Sequence, residues 1–474
     1  MTTDKSVALT RFSAYVPKYR VSRAQIGALV GQSGRGKRAI ANFDEDSTTM
    51  AVEAAAPIVA DGTQPDSLWF ATTSPAYVDK VNATAVHAAL GLPSETAAYD
   101  LGANFRSGFA SILAASRSGG LAVMADVREG KAGGPDDKDS ADLAAAFSFA
   151  PDDGDPAATV LATASRSAEF LDRWRLPGSM TGTTWEERFG QGVYGGLGDA
   201  VVRDVLERAE VALSDVAAVV VTSPNARAAR QYAAGLQKRV GGARSSSDLL
   251  DLLGNSGTAQ FGVELVDQLE RASAGDLVLA VSLADGADAL LLRVGERSAS
   301  ASLPVRQQLE QVIEVDYAKY LLWRGRFAGE SARRPDPTRP SSPFASRNVD
   351  FKFGLQGGRC RKCGTVQFPR PRVCLSCKAM DDFDDVSTAG RTATVATYTI
   401  DRLAFTASPP LVGAVLDLEG GGRLQCELTD VDANSIAVGN VVQMTFRLIN
   451  TVEGIRNYFW KARPADAVAT TEES

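Results

Sequence analysis

Two apolar runs decide the fold, Leu68-Trp-Phe-Ala-Thr-Thr-Ser-Pro75 and Ala217-Ala-Val-Val-Val-Thr-Ser-Pro224. Both close on Thr-Ser-Pro, and Thr73 and Thr222 stand 149 positions apart. The pairs Ser107-Gly108 and Ser256-Gly257 repeat the same 149-residue offset. Later in each stretch a Gly-led apolar run ends at a Gly loop, Gly120 to Gly130 and then Gly275 to Gly286. Matches at three places in one order point to an ancient duplication. Each half alternates short β-like runs, such as Ala217 to Val221, with Ala-rich helical stretches, such as Gln260 to Ala272. That alternation is the α/β pattern. The repeated pieces fall at strand ends and helix starts, where α/β folds place their functional groups. Two unrelated doubly wound domains would alternate in the same way, but they would not share the offset.

Beyond the repeats the character changes. A chain of 474 residues is too long for one core. The expected layout is a duplicated domain over 1–295, with halves near 1–165 and 166–295, then a helix and linker over 296–350. A metal ribbon follows over 351–385, a barrel over 386–464 and a tail over 465–474. The helix is expected from about Arg306 to Phe327, presenting Tyr317, Tyr320, Leu321 and Trp323 as a packing stripe rather than a partner face. Ser331 to Pro343 is too polar and proline-rich to pack and reads as a linker. After it, Thr392 to Ile400, Leu411 to Leu418, Arg423 to Leu428 and Val441 to Leu448 alternate as strands between Gly and Asp-Ala-Asn turns. Five or so strands in such a span suit an OB-type barrel.

Sulfur is distributed unevenly. All five cysteines lie at or beyond Cys360, and the chain has a single histidine, His87. A mechanism needing a Cys/His pair before Cys360 is therefore excluded. Cys360-x-x-Cys363 and Cys374-x-x-Cys377 form two knuckles that can hold one Zn²⁺ through four thiolates. Four protein ligands leave no open coordination position, so the zinc would be structural. Iron in the same rubredoxin-like cage is the alternative. Cys426 falls in an expected strand as a small buried side chain. Arg359, Arg361, Lys362, Arg370 and Arg372 surround the knuckles. They can hold the phosphates of coenzyme A, or they can form the solvated face of a small ribbon. The net charge of -7 argues against nucleic acid as a partner. No apolar run reaches the length of a membrane span and no signal core opens the chain, so a cytoplasmic location is expected.

With these residues in place, the first 295 positions resemble the hydroxymethylglutaryl-CoA synthase branch of the thiolase superfamily. The resemblance rests on Tyr15-Val-Pro-Lys-Tyr-Arg20, Asn42-Phe-Asp-Glu-Asp-Ser-Thr-Thr-Met-Ala51, Thr72-Thr-Ser-Pro-Ala-Tyr77, Trp174-Arg-Leu-Pro-Gly178, Thr184-Trp-Glu-Glu-Arg-Phe189 and Gly254-Asn-Ser-Gly257. From about Asp316, the helix Asp316-Tyr-Ala-Lys-Tyr-Leu-Leu-Trp-Arg-Gly325 and the four cysteines resemble zinc-ribbon/OB-fold proteins of acyl-CoA metabolism. The resemblance implies a five-layered αβαβα fold, dimeric through its large domain, and a catalytic thiolase subunit as partner. It also implies acyl-CoA as substrate, with coenzyme A part of that substrate.

The family takes an acyl group on a cysteine and moves protons with a histidine and a glutamate. A thiolate suits this because it attacks a thioester at near-equal energy and then leaves readily. Carried over residue by residue, the nucleophile position falls on Phe105, the histidine on Thr222 and the glutamate on Thr73. Asn225 and Asn255 remain as pocket-type polar groups. Ser107 and Ser256 have no base nearby in sequence, since His87 sits in an Ala-rich helical stretch, and Asp285 and Asp288 belong to a strand-end turn.

Two readings follow. The chain is a non-catalytic subunit of an acyl-CoA thiolase or acyltransferase complex, or it is a retro-aldolase acting on a hydroxyacyl-CoA without an acyl-enzyme, with Tyr77 and Tyr194 as candidate groups. A ribbon-plus-barrel nucleic-acid binder ranks last, because the barrel lacks an aromatic-basic stacking stripe.

Overall fold

A computed structural model describes residues 7–60, 62–152, 154–296, 300–327, 339–404 and 406–465. Most of the expected linker and nearly all of the expected tail lie outside the described residues. The chain forms two compact units. The first comprises Met1–Ala41, Glu45–His87 and Pro93–Arg324, and the second comprises Asn42–Asp44, Ala88–Leu92 and Gly325–Ser474.

The duplication is written into the topology of the first unit. Its first half runs β1 (Val7–Tyr15), α1 (Ser47–Val59), β2 (Ser67–Thr72), α2 (Ala83–Ala89), β3 (Ala97–Gly102), α3 (Ser107–Ser118), β4 (Leu121–Asp126) and β5 (Leu143–Pro151). The second half repeats this order with β6 (Ala158–Ser167), α4 (Glu187–Ala209), β7 (Val216–Thr222), α5 (Ala226–Val240), β8 (Arg244–Ser245), α6 (Thr258–Glu270), β9 (Leu277–Ser282) and β10 (Gly286–Val294). The strand order across the sheet is β3-β2-β4-β5-β1-β6-β10-β9-β7-β8, each half reading the same way outward from the centre. Within the sheet the halves meet where β1 runs beside β6, with Leu9 opposite Ala158.

Helices α3 and α6 form the layer between the halves. Both touch strands of the first half, α6 also touches β7 and β9, and the two helices touch each other. Their apolar side chains, including Phe109 and Phe261 at 5.5 Å between ring centroids, fill a core shared with Phe12, Val220 and Leu290. With α1 packed on the first half-sheet and α4 and α5 on the second, the layers are αβαβα. This is a mixed α/β, thiolase-like fold.

The repeated Ser-Gly pairs acquire a physical reason here. A Cβ on Gly108 would lie 2.4 Å from the Thr258 carbonyl oxygen, so the two central helices can approach only through glycine. Gly257 has φ +67° and sits against the Asp126 carboxylate, where a Cβ would lie 2.4 Å from Oδ2.

Helix α6 is buried from Thr258 to Leu269, and several of its polar residues bond to one another or to neighbouring side chains. The Ser256 amide and hydroxyl donate to Gln260 Oε1, and Gln260 Nε2 donates to Glu264 Oε1 at 2.7 Å. Ser246 Oγ donates to Asp267 Oδ2 at 2.6 Å, and Arg306 bridges Asp267 (2.6 Å) and Asp248 (2.5 Å). Burial pushes the Glu264 carboxyl up to about 8.

The single helix expected from about Arg306 to Phe327 is corrected. A short turn at Val305–Gln308 is followed by a strand pair, Ile313–Glu314 beside Tyr19–Ser22, and only then by α7 (Tyr317–Trp323). The β-branched run Val312-Ile313 and Val315 favours extended backbone over a helix turn. The aromatic stripe of α7 is buried within the first unit. Tyr317 Oη donates to Asp137, and the Tyr320 ring lies 5.3 Å from both the Arg38 and Arg324 guanidinium groups.

In the second unit, β11 (Gln356–Cys360), β12 (Val366–Gln367) and β13 (Phe383–Ser387) form a three-stranded ribbon with β11 in the centre. A closed five-stranded barrel follows: β14 (Thr392–Asp401), β15 (Leu411–Leu418), β16 (Arg423–Leu428), β17 (Val441–Val452) and β18 (Ile455–Pro464). Alternation along β15, with Val412, Ala414, Leu416 and Leu418 buried, directs one face inward. Phe351 packs between Phe368 of the ribbon region and Phe459 of the barrel, at 5.3 and 5.5 Å. Among the described residues no helix is long and apolar enough to cross a membrane.

Candidate functional site

The first unit holds a pocket of about 380 Å³ where β4, the start of α5 and the turn before α6 converge. Phe105, Asn225 and Asn255 line it together. Thr73 stands behind the wall and reaches it through Arg128, whose Nη1 donates to Thr73 Oγ1 at 3.0 Å. Thr222 ends β7 as a buried residue whose carbonyl accepts the Leu283 amide at 2.8 Å, and it is not among the pocket-lining residues. Of the five positions, three thus share the cavity, one stands just behind it and one lies apart.

The environment of Phe105 is cationic. The Arg128 guanidinium carbon lies 4.8 Å and that of Arg173 5.9 Å from its ring centroid, within cation–π range. Arg173 is held by Asp136 at 2.7 Å, and the Arg175 guanidinium donates to the Thr73 carbonyl oxygen. Behind Thr73, Asp126 accepts from Thr72 Oγ1 (3.0 Å), Thr73 Oγ1 (2.9 Å) and the Thr258 amide (2.9 Å). Burial raises the Asp126 carboxyl above its ordinary range, opposed by Arg128 and these donors. Burial likewise lowers the Arg128 guanidinium, to about 10.

Both pocket asparagines have structural duties. Asn225 caps α5, accepting the Ala228 amide at 3.1 Å. Asn255 donates to the Ser223 carbonyl at 2.8 Å and accepts the Gly257 amide at 2.9 Å. The other residues weighed from the sequence lie elsewhere. The His87 ring nitrogen meets the Pro93 carbonyl at 2.9 Å, Asp288 pairs with Arg106 at 2.7 Å, and Ser256 is tied to Gln260. Tyr77 and Tyr194 do not line the pocket, and burial raises the Tyr194 phenol above its ordinary value. The arginines at positions 23, 128 and 173 were not picked out by sequence reasoning. Arg173 stands in the charged cluster Asp172-Arg-Trp-Arg175, which overlaps the Trp174–Gly178 motif.

In the second unit the four sulfurs of Cys360, Cys363, Cys374 and Cys377 lie within 4.8 Å of one another. Cys360 to Cys377 and Cys363 to Cys374 are each 3.6 Å apart. Tetrahedral zinc with Zn–S bonds of about 2.3 Å demands sulfur separations of about 3.8 Å. The donor set and spacing therefore fit that ion. Gln367 Nε2 donates to Cys374 Sγ at 3.1 Å, the outer-sphere contact such thiolates require. The Phe383 ring shields Cys360 and Cys374 in a small buried cluster.

The basic residues around the knuckles are largely engaged. Arg361 pairs with Asp384 at 2.7 Å, Arg370 with Asp385 at 2.5 Å and Arg372 with Asp381 at 2.7 Å. Arg359 and Lys362 are exposed. Cys426 is half-buried, and burial pushes its thiol up to about 12.

Fold and cysteine cluster together define a thiolase-fold domain of the hydroxymethylglutaryl-CoA synthase type joined to a zinc ribbon and an OB-fold barrel. Family models match both C-terminal parts. The ChsH2 rubredoxin-like zinc ribbon domain covers residues 355–381, and the ChsH2 C-terminal OB-fold domain covers 386–447. A DUF35 domain-containing scaffold protein of Methanocaldococcus jannaschii is 30% identical over 125 residues, which are 25% of this chain and 88% of that relative. Through this C-terminal region the chain belongs to the DUF35 domain-containing family. Over the larger region, a hydroxymethylglutaryl-CoA synthase of Methanopyrus kandleri is 28% identical over 347 residues, 68% of this chain and 97% of the relative. A solved structure of HMG-CoA synthase complexed with CoA superposes with a TM-score of 0.56 at 16% identity, covering 71% of this chain and 96% of that one.

Proposed function

We propose that this chain is a non-catalytic subunit of an acyl-CoA complex that forms or breaks carbon–carbon bonds. In this reading the ribbon binds a structural zinc and, with the barrel, engages a catalytic thiolase. The first unit supplies fold and a two-fold interface, and the partner supplies the cysteine. The observation that carries the reading is Phe105, a side chain that cannot attack a thioester, lying against Arg128 and Arg173 in the pocket. No cysteine precedes Cys360 to replace it. The likeness to a relative described as a scaffold protein supports the role of the second unit.

The test has two arms. The purified full chain is incubated with radiolabelled acetyl-CoA, and no acyl group is expected on any side chain before Cys360. Copurification from the native host is expected to bring down a thiolase-fold protein that carries a cysteine nucleophile. A covalent label in the first unit, or the absence of such a protein among the copurifying chains, refutes the proposal.

A further inference from the structure

The pocket around Phe105 has no acid–base pair suited to acyl transfer, yet it is far from inert. Five arginines line it against three aspartates in a cavity of about 380 Å³, an excess of two positive charges among the lining residues. One of the five, Arg230, is paired with Asp251 outside the lining at 2.7 Å. Two of these arginines are more than nine-tenths buried, Arg23 at 7% and Arg128 at 8% exposure. Arg23 spends its two terminal nitrogens on the carbonyl oxygens of Asp251 and Leu250, at 2.9 and 3.0 Å. Arg128 gives one terminal nitrogen to Thr73. Its other terminal nitrogen, Nη2, has no hydrogen-bond acceptor among the described residues, and the Nε–H groups of both arginines also lack one but are sealed from the cavity. Buried donors are almost always satisfied, and a buried cation without full pairing costs several kcal/mol.

A second feature points the same way. The first turn of α5, a helix of fifteen residues, opens onto the cavity through Asn225 and Ala226. The unpaired amides and dipole of a helix N-terminus favour an anion.

We infer that this pocket binds a small doubly charged oxyanion, either a dicarboxylate or a phosphate-bearing metabolite. The anion supplies the acceptor that Arg128 Nη2 lacks and offsets the charge of Arg23, and Arg173 and the α5 terminus complete its cradle. Its volume sits near the lower end of small-molecule sites, which suits a compact anion. The inference concerns the first unit alone and stands whether or not the chain docks a thiolase.

Isothermal titration of the full chain with potassium phosphate and, separately, sodium succinate tests it, each against sodium chloride at equal ionic strength. At least one dianion is expected to give saturable binding that chloride does not. Phosphate alone points to a phosphorylated ligand. Succinate, alone or with phosphate, points to a dicarboxylate. Arg173→Gln, at a half-buried site chosen to preserve folding, is expected to weaken binding about tenfold, the worth of one charge-assisted hydrogen bond. Arg128→Gln is expected to weaken it at least as much. Arg239→Gln, at a surface ion pair remote from the pocket, leaves it unchanged. Absence of saturable binding with both dianions, or equal affinity in the two pocket variants and the parent, overturns the inference.

Discussion

Replacing Glu264 with glutamine isolates the energetic consequence of a carboxyl held in the central layer. Burial raises this group from 4.5 to about 8 in the folded chain. Below pH 4.5 it is protonated both folded and unfolded, and it contributes no pH dependence. Between 4.5 and 8 the folded chain keeps a proton that the unfolded chain has released. Stability therefore falls as pH rises through this window, and the fall levels off above the folded value. A difference of about 3.5 units corresponds to about 5 kcal/mol in full, of which about 4 kcal/mol is lost by pH 8.

Glutamine retains an oxygen to accept from Gln260 Nε2 and carries no titratable proton. Its amide nitrogen replaces a carboxylate oxygen that has no partner among the described residues, at a cost of about 1–3 kcal/mol that does not vary with pH. Glu270, raised by burial to about 7, titrates in both proteins and cancels in the comparison. The observable is thus the difference in urea-unfolding free energy between Glu264→Gln and the parent. It is expected to grow in favour of the variant by about 3–4 kcal/mol between pH 5 and pH 8. Two profiles that run parallel across that range would refute the reasoning.

Three further outcomes are expected. Arg306→Met strips the fully buried Asp267 carboxylate of its principal cation and should lower unfolding stability by about 3–5 kcal/mol, with Arg306→Lys recovering part of the loss. Gly108→Ala forces a methyl group against the Thr258 carbonyl and should cost about 1–3 kcal/mol, read as a lower midpoint in thermal unfolding. Elemental analysis should find one zinc per chain and no visible absorbance of a rubredoxin-type iron centre. Cys374→Ser should lower the zinc content and loosen the ribbon to proteolysis, because binding energy in such sites is folding energy.

The barrel was the most legible part of the chain. The limits Leu411–Leu418 and Arg423–Leu428 follow directly from alternation between glycine turns. Its last strand, Ile455–Pro464, was not singled out, because Tyr458-Phe-Trp460 places apolar residues on consecutive positions and blurs the two-residue period. The duplication was legible because close contact preserves glycine at Gly108 and Gly257. The segment before α7 reads as helix in the sequence because aromatic residues at helical spacing outweigh the β-branched residues at 312–315. The knuckle cysteines announce their cluster by spacing alone, since the ligands are neighbours in sequence. The arginine pocket is far less legible: Arg173 stands in a charged cluster, but Arg23, Arg128 and Arg173 come from distant segments that meet only in the folded chain.

With zinc bound as proposed, the placement of sulfur would make the ribbon a built-in gauge of its own metal. Thiolates bound to zinc resist alkylation, Cys426 is half-buried and holds its proton tightly, and the first 359 residues contain no cysteine at all. A brief treatment of cell extract with iodoacetamide would leave its mass tag on this protein only where the cage stands empty, beginning at the exposed Cys363. The tagged fraction then reports how many copies in a living cell have gone without zinc.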